Sequence, residues 1–244
     1  MNLIKQCLKK LIERKGFQIV RSDQHAPFNF LNIRALGINR VLDVGANAGQ
    51  FASRIHRIIP TAFIDSFEPL PDVYPELERT FSDLNIPGRC HNFALGEHDE
   101  NLTINLHVNH SPSSSILPAT TFLESSDSRT VETKKQDIQV KRLDSIFANL
   151  DLPPQSNFLI KMDVQGFEKN VVLGGLETFA KATAVLTEVN LEPLYDGQPS
   201  FDEMHALMSK LGFSYAGNFD QSQDPDGKVV AIDTFYIKSN PLFS

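Results

Sequence analysis

Arg40-Val41-Leu42-Asp43-Val44-Gly45-Ala46-Asn47-Ala48-Gly49 is the stretch whose reading decides the fold. Its first five residues read as a short buried strand. Two glycines then turn the chain toward Phe51, Ile55, Ile58 and Ile59, which recur on one face of a helix stopped by Pro60. Glycine at such a turn lets a ligand approach the backbone, and the helix that follows offers free N–H groups.

Reading outward, Ala62 to Phe67 forms a second strand, and Val73, Leu77, Phe81 and Leu84 mark a second helix. Cys90 to Leu95 reads as a third strand. This alternation of strand and helix implies parallel strands joined by right-handed crossovers. Leu102, Ile104, Leu106 and Val108 then alternate with polar residues, which predicts a half-exposed antiparallel strand with Ile138 to Val140 as its partner. Between them His110 to Lys135 reads as a polar loop rich in Ser and Thr, within an insertion spanning about residues 101–141.

Parallel alternation resumes with Phe158 to Asp163, a helix, and a strand at Ala184 to Val189. Ser200 and Glu203 have capping-box spacing ahead of Met204, Leu207, Met208 and Leu211, and Gly212 closes that helix. Two last strands, Phe213 to Phe219 and Val229 to Ile237, flank the turn Pro225-Asp226-Gly227. The predicted fold is α/β: a mostly parallel, Rossmann-like sheet ending in an antiparallel hairpin, one domain over residues 25–244.

Residues 1–24 read as a separate amphipathic helix. Leu3, Ile4, Leu8, Leu11 and Ile12 line one face, and Lys5, Lys9, Lys10, Arg14 and Lys15 fill much of the other. Such a helix can pack its stripe on the domain or make a peripheral contact with an anionic membrane.

Bulk composition narrows the function. The chain of 244 residues is 41% hydrophobic and 22% charged, as a globular domain should be. A net charge of −7 excludes the broad basic footprint of a general nucleic-acid binder. Cys7 and Cys90 have neither metal-site spacing nor a disulfide framework, and no apolar run approaches the roughly 18 residues of a membrane helix. A cytoplasmic location is the expectation, since the apolar core of a signal peptide is also missing.

The glycine turn departs from the dinucleotide fingerprint, because Asn47 replaces a glycine and Asp43 would repel a pyrophosphate. An acid there suits a ligand carrying a positive amino group. Glu68-Pro69 ends the second strand 19 residues after Gly49, where a carboxylate can take both hydroxyls of a ribose. Together these features favour a nucleoside ligand over a nicotinamide cofactor.

At this point the chain resembles the FkbM family of S-adenosylmethionine methyltransferases, from about Asn32 to Ile237. The resemblance rests on Asp43 to Gly49, Phe67-Glu68-Pro69, Ala94-Leu95-Gly96, Ser113-Ser114-Ser115 and Arg142-Leu143-Asp144. It continues through Lys161-Met162-Asp163-Val164-Gln165-Gly166-Phe167-Glu168, the most specific piece, then Thr187-Glu188-Val189-Asn190 and Ile232-Asp233-Thr234-Phe235. It implies a class I methyltransferase sheet, S-adenosyl-L-methionine as cofactor, and O-methylation of a hydroxyl on a sugar, glycolipid or polysaccharide. A methyltransferase acting on another small molecule and a non-catalytic binding module are the alternatives.

In an open α/β sheet the ligand sits beyond the carboxyl ends of the strands, where Asp43, Glu68, Ala94, Asp163 and Glu188 all fall. Asp43, Gly45, Ala46, Asn47 and Gly49 are therefore assigned to the methionine side, Glu68 and Pro69 to the ribose, Asn92 and Ala94 to the adenine, with Asp163 closing the set. Methyl transfer needs an aligned nucleophile and a base. The catalytic candidates are Asp163, Lys161, Glu188 and His110, with His107 a further histidine of the insertion. Lys161 shares a strand face with Asp163 and, if buried, demands a carboxylate partner. Ser113, Ser114, Ser115 and Asn190 are the substrate-side candidates, for a small-molecule or glycan acceptor, and Tyr74, Phe122 and Tyr195 could stack on a sugar. A divalent cation on Asp163, Glu188 and Asn190 is an alternative that the charge of Lys161 opposes.

Overall fold

The computed structural model describes residues 31–150, 153, 156–224 and 226–239. The helix expected over residues 1–24, with its membrane contact, lies outside the described residues, as does Cys7.

A short helix α1 (Leu31–Ala35) leads into β1 (Arg40–Val44), α2 (Gln50–Ile58), β2 (Phe63–Phe67), α3 (Tyr74–Leu84) and β3 (Gly88–His91). Next comes β4 (Ala94–Leu95), and the insertion carries β5 (Glu100–His107), α4 (Thr121–Ser126) and β6 (Thr133–Lys141). Then come α5 (Leu143–Ile146), β7 (Phe158–Met162), α6 (Glu168–Leu173), α7 (Leu176–Lys181) and β8 (Ala184–Asn190). The described chain ends with α8 (Phe201–Lys210), β9 (Phe213–Gln223) and β10 (Val229–Lys238).

The main sheet has the order β3-β2-β1-β7-β8-β10-β9. Its first five strands run parallel, and β10 runs antiparallel to both β8 and β9. All five residues of β1 and of β7 are buried, because helices cover both faces. Leu42, Val44 and Ile160 pack on one face with Phe67 and Val185, while Val41 and Leu159 pack on the other with Ile64 and Ala184. That is the two-residue alternation of a strand read directly in its contacts. The predicted mostly parallel sheet with a C-terminal hairpin is therefore what the chain forms. Ser200 and Glu203 close a full capping box on α8.

The chain winds outward from β1 to β3 and, separately, from β7 to β8. The strand order thus reverses between β1 and β7, where open sheets bind ligands.

Two expectations need correction. Cys90 to Leu95 is not one strand. The chain leaves the main sheet after His91, and Ala94–Leu95 pairs with β6 in a second sheet of order β4-β6-β5. Nor is His110 to Lys135 a loop throughout: it holds a 3-10 turn at Ser111–Ser113, helix α4 capped by the Thr120 hydroxyl, and the start of β6. The small sheet buries Ile104, Ile138 and Val140 against Leu70, so the insertion has a core of its own. Among the described residues no helix is long and apolar enough to cross a membrane.

Candidate functional site

The glycine turn closes on the carboxyl ends of β1, β2 and β7. Gly45 has φ +74°, and a Cβ added there would lie 1.9 Å from the Asp163 carbonyl oxygen, so β1 and β7 approach too closely for any side chain. Asn47 is left-handed at φ +46°. Every N–H from Gly45 to Gly49 has an acceptor within the protein. Gly45 and Ala46 donate to the Phe67 carbonyl at 3.1 and 3.0 Å, and Gly49 donates to the Ala46 carbonyl at 2.9 Å. Asn47 donates to Glu68 Oε2 at 2.9 Å, and Ala48 to Asn47 Oδ1 at 2.8 Å. The N–H groups of the turn itself are thus taken, and the helix α2 begins only beyond it, at Gln50.

Beyond that turn lies a cavity of about 300 Å³. Phe51, Phe67 and Phe167 supply its rings, while Ile104, Ile116 and Ile138 of the insertion close it from above. Its charged lining is unequal: Glu68, Asp163, Asp220 and Asp233 face Lys161 and Arg54. Such a surplus of carboxylates favours a cationic ligand over an anionic one.

Glu68 is buried, and burial pushes its carboxyl up to about 7 against the pull of two backbone donors. Asn47 N–H meets one oxygen and Leu70 N–H the other, each at 2.9 Å. Each oxygen retains accepting capacity for a ligand hydroxyl. Glu68→Gln will therefore lower stability by about 1–3 kcal/mol, because an amide has only one oxygen for two donors. Urea denaturation of the variant checks this, and an unchanged midpoint would mean that the two backbone bonds carry no weight.

Lys161 and Asp43 occupy the same level of adjacent strands. The Lys161 ammonium donates to the Gly45 carbonyl at 3.0 Å and lies 3.5 Å from both Asp43 Oδ1 and Asp163 Oδ2. Burial pulls its pKa down, but Asp163, Asp43, Asp233 and Glu188 outweigh burial and hold it above the ordinary lysine value. Asp43 is fully buried, which raises its pKa, and Ser66 Oγ donates to its other oxygen at 3.2 Å. The lysine thus ties the floor of the site to the glycine turn.

Gln165, left-handed at φ +55°, joins the acids on the far side. Its amide nitrogen donates to Asp163 Oδ1 at 2.7 Å and to Glu188 Oε2 at 2.8 Å. The Tyr195 hydroxyl lies 2.8 Å from both Gln165 Oε1 and the Ser113 carbonyl. Glu168 caps the same turn, its Oε1 accepting from Val164 and Gly166 N–H, and burial pushes its carboxyl up to about 7. Asp233 on β10 faces Glu188 across the strand pair and Asp220 on β9; burial and then Asp163 push it up to about 6.

Of the residues singled out in the sequence, Gly45, Ala46, Asn47, Glu68, Pro69, Ala94, Lys161, Asp163 and Ser114 line the cavity. The others stand elsewhere. Asp43 lies beneath the turn, and Gly49 packs against Thr80 and Leu77. Asn92 is exposed and spends its amide on the Glu68 and Pro69 carbonyls, fastening the exit from β2. Glu188 stands behind Gln165. His110 Nδ1 and Ser113 Oγ bond to each other at 2.7 Å away from the lining, and His107 is buried within the insertion, which lowers its pKa. Ser115 Oγ donates to the Gln165 carbonyl at 2.6 Å, a latch between the insertion and the main sheet. Asn190 lines a separate depression with Tyr195 and Gln198. Tyr74 donates to the Cys90 carbonyl, and neither it nor Phe122 nor Tyr195 reaches the cavity.

Arg54, Gln165, Asp220 and Asp233 line the cavity without having been given a role from the sequence. Gln165 and Asp233 stand within stretches that carry the family resemblance, while Asp220 lies one residue beyond the predicted strand Phe213 to Phe219. Among the described residues no group of three His, Cys, Asp or Glu is arranged to hold a metal ion.

Sheet order, glycine turn and acidic cavity together define a Rossmann-like class I methyltransferase domain. Residues 43–215 match the family described as the methyltransferase FkbM domain, and the chain belongs to that family. It is 30% identical over 169 residues to the 2-O-methyltransferase NoeI of Sinorhizobium fredii (strain NBRC 101917 / NGR234), a match spanning 65% of this chain and 66% of that relative. Two solved structures share the fold at 12% identity. The methyltransferase FkbM from Methylobacillus flagellatus KT has a TM-score of 0.51, covering 87% of this chain and 52% of that one. The O-methyltransferase TomG from Streptomyces achromogenes, solved in complex with S-adenosylmethionine, has a TM-score of 0.50, covering 98% and 91%.

Proposed function

We propose that this protein transfers a methyl group from S-adenosylmethionine to a hydroxyl of a small-molecule acceptor, a sugar or glycolipid being the preferred class. The observation that carries the reading is the cavity at the β1/β7 switch point: the N–H groups of its glycine turn are already occupied, and its acids outnumber its cations. A donor with a positive sulfonium and amino group suits that surface, and a pyrophosphate does not. The names of NoeI and TomG support oxygen as the atom methylated. The sugar rests on the family resemblance of the sequence.

Gly45, Ala46 and Asn47 would hold the methionine part, Glu68 the ribose, and Ala94 with its apolar neighbours Leu95 and Leu70 the adenine. The donor supplies an electrophilic methyl on a sulfonium, so the protein's task is to align the acceptor and take up its proton. Asp163 is the carboxylate we assign to that task. It lines the cavity, and Lys161 and Gln165 each hold one of its oxygens.

Calorimetric titration with S-adenosylmethionine and S-adenosylhomocysteine, with and without Mg²⁺, tests the cofactor. Micromolar binding is expected, weakened about tenfold or more in Glu68→Ala, which corresponds to roughly 1.4 kcal/mol for the lost ribose contact. Absence of binding in the wild-type protein overturns the reading. Transfer of a labelled methyl to oligosaccharides rather than to non-sugar alcohols then tests the acceptor class.

A further inference from the structure

We infer that Gln165 is a positioning residue: its one side-chain amide pins the Asp163 and Glu188 carboxylates side by side, so that the pair presents a single fixed proton acceptor to the cavity. This rests on the reading of Asp163 as the base. The distances of 2.7 and 2.8 Å give each carboxylate one of the two amide hydrogens. Two neighbouring carboxylates without such a bridge repel, or share a proton, and a shared proton costs the base its function. An amide is suited to the place because it donates twice and has no proton to lose.

The orientation of that amide follows from its partners. Asp163 Oδ1 and Glu188 Oε2 are acceptors, so the NH2 faces the acids, and Gln165 Oε1 is left to face the Tyr195 hydroxyl. Ser115 Oγ holds the Gln165 carbonyl and Gly166 follows at φ +93°, so main chain and side chain are both fixed. Tyr195 is itself buried and lies outside the cavity, and its hydroxyl therefore acts through Gln165.

The charged groups around Glu188 are Asp163 at the end of β7, Glu168 on α6, Asp233 on β10 and Lys161 on β7, with Tyr195 beyond. Burial and the first three acids already hold the Glu188 carboxyl well above the usual carboxylate range. Withdrawing an amide that stabilises the anion should push it further in the same direction.

The test is a carbon-13 NMR titration of the Glu188 side-chain carboxyl in the full chain, assigned with Glu188→Gln. Gln165→Ala should raise the midpoint by about one unit, a tenfold gain in proton affinity, and Tyr195→Phe should raise it by less. Thermal melting of the same variants reports any general loosening, which alone would not displace this one resonance upward. A Glu188 midpoint unchanged in a folded Gln165→Ala protein overturns the inference. Calorimetry with S-adenosylmethionine on the same samples keeps the two ideas apart. A wild-type protein that fails to bind it removes the proposed function, while the titration still decides what Gln165 does.

Discussion

Gly45→Ala is expected to weaken S-adenosylmethionine binding by about a hundredfold or more, roughly 2.7 kcal/mol, and to destabilise the fold as well. Two separate costs meet at this position. Its φ of +74° is left-handed, which costs an L side chain about 1–2 kcal/mol. The new Cβ would also fall 1.9 Å from the Asp163 carbonyl, which is backbone and cannot swing aside. Relief requires β1 and β7 to part at their carboxyl ends, and overpacking of that kind costs about 1–3 kcal/mol more. The displaced strand end carries Asp163 and Gln165, so the damage reaches both walls of the cavity. Gly197→Ala is the control: φ is +83°, but nothing lies within 4 Å of its Cβ, so only the backbone cost applies. Urea denaturation of both variants separates the two costs. Equal losses would show that the strand ends have room to spare.

The same contact shows which parts of this architecture were legible in the sequence. Elements with a clear period and chemical punctuation were readable. The run Arg40 to Val44 is wholly apolar apart from its charges, and Gly45 and Gly49 follow it at once. Ser200 and Glu203 announce α8 by a pattern that needs no partner elsewhere in the chain. What failed was decided by partners distant in sequence. Ala94–Leu95 has the composition of a strand, but nothing local says that it pairs with Lys141 and Val140 rather than prolonging β3. Helix α4 buries only Leu123 and is too short for a periodic signal.

The site divides in the same way. Glu68 and Asp163 sit at strand ends, so the general rule for open sheets located them. The role of Asn92 depended on a turn whose geometry was not yet known. Its short amide side chain serves the backbone of that turn instead of the cavity, as Asn often does in loops. Gln165 stands inside the most specific stretch of the resemblance, yet an amide carries no charge and attracts no notice. Only the left-handed backbone at that residue brings its side chain between two acids.

Lys161→Met should be the other large loss, about 3–5 kcal/mol at pH 8, because it strands a charge. Asp43 has no exposed surface, and its remaining side-chain partner would be Ser66 at 3.2 Å. A buried carboxylate deprived of its cation is far costlier than the intact pair is helpful. The pH dependence carries the sign. Burial raises the folded-state pKa of Asp43 above its unfolded value of 3.8, and Lys161 is the main influence opposing that rise. Without the lysine the folded state holds a proton on Asp43 that the unfolded state releases, so stability increases as pH falls through the folded pKa. The lysine's own contribution is intact below its unfolded value of 10.5 and is lost only as pH rises through its elevated folded pKa. The gap between variant and wild type should therefore narrow from pH 8 to pH 5. Asp43→Asn in the Lys161→Met background should recover much of the loss, with a coupling of at least about 1 kcal/mol between the two sites. A gap that stays constant with pH, together with strict additivity, would mean that Asp163 is the partner that matters to Lys161. The buried aspartate would then be neutral in the wild-type protein as well.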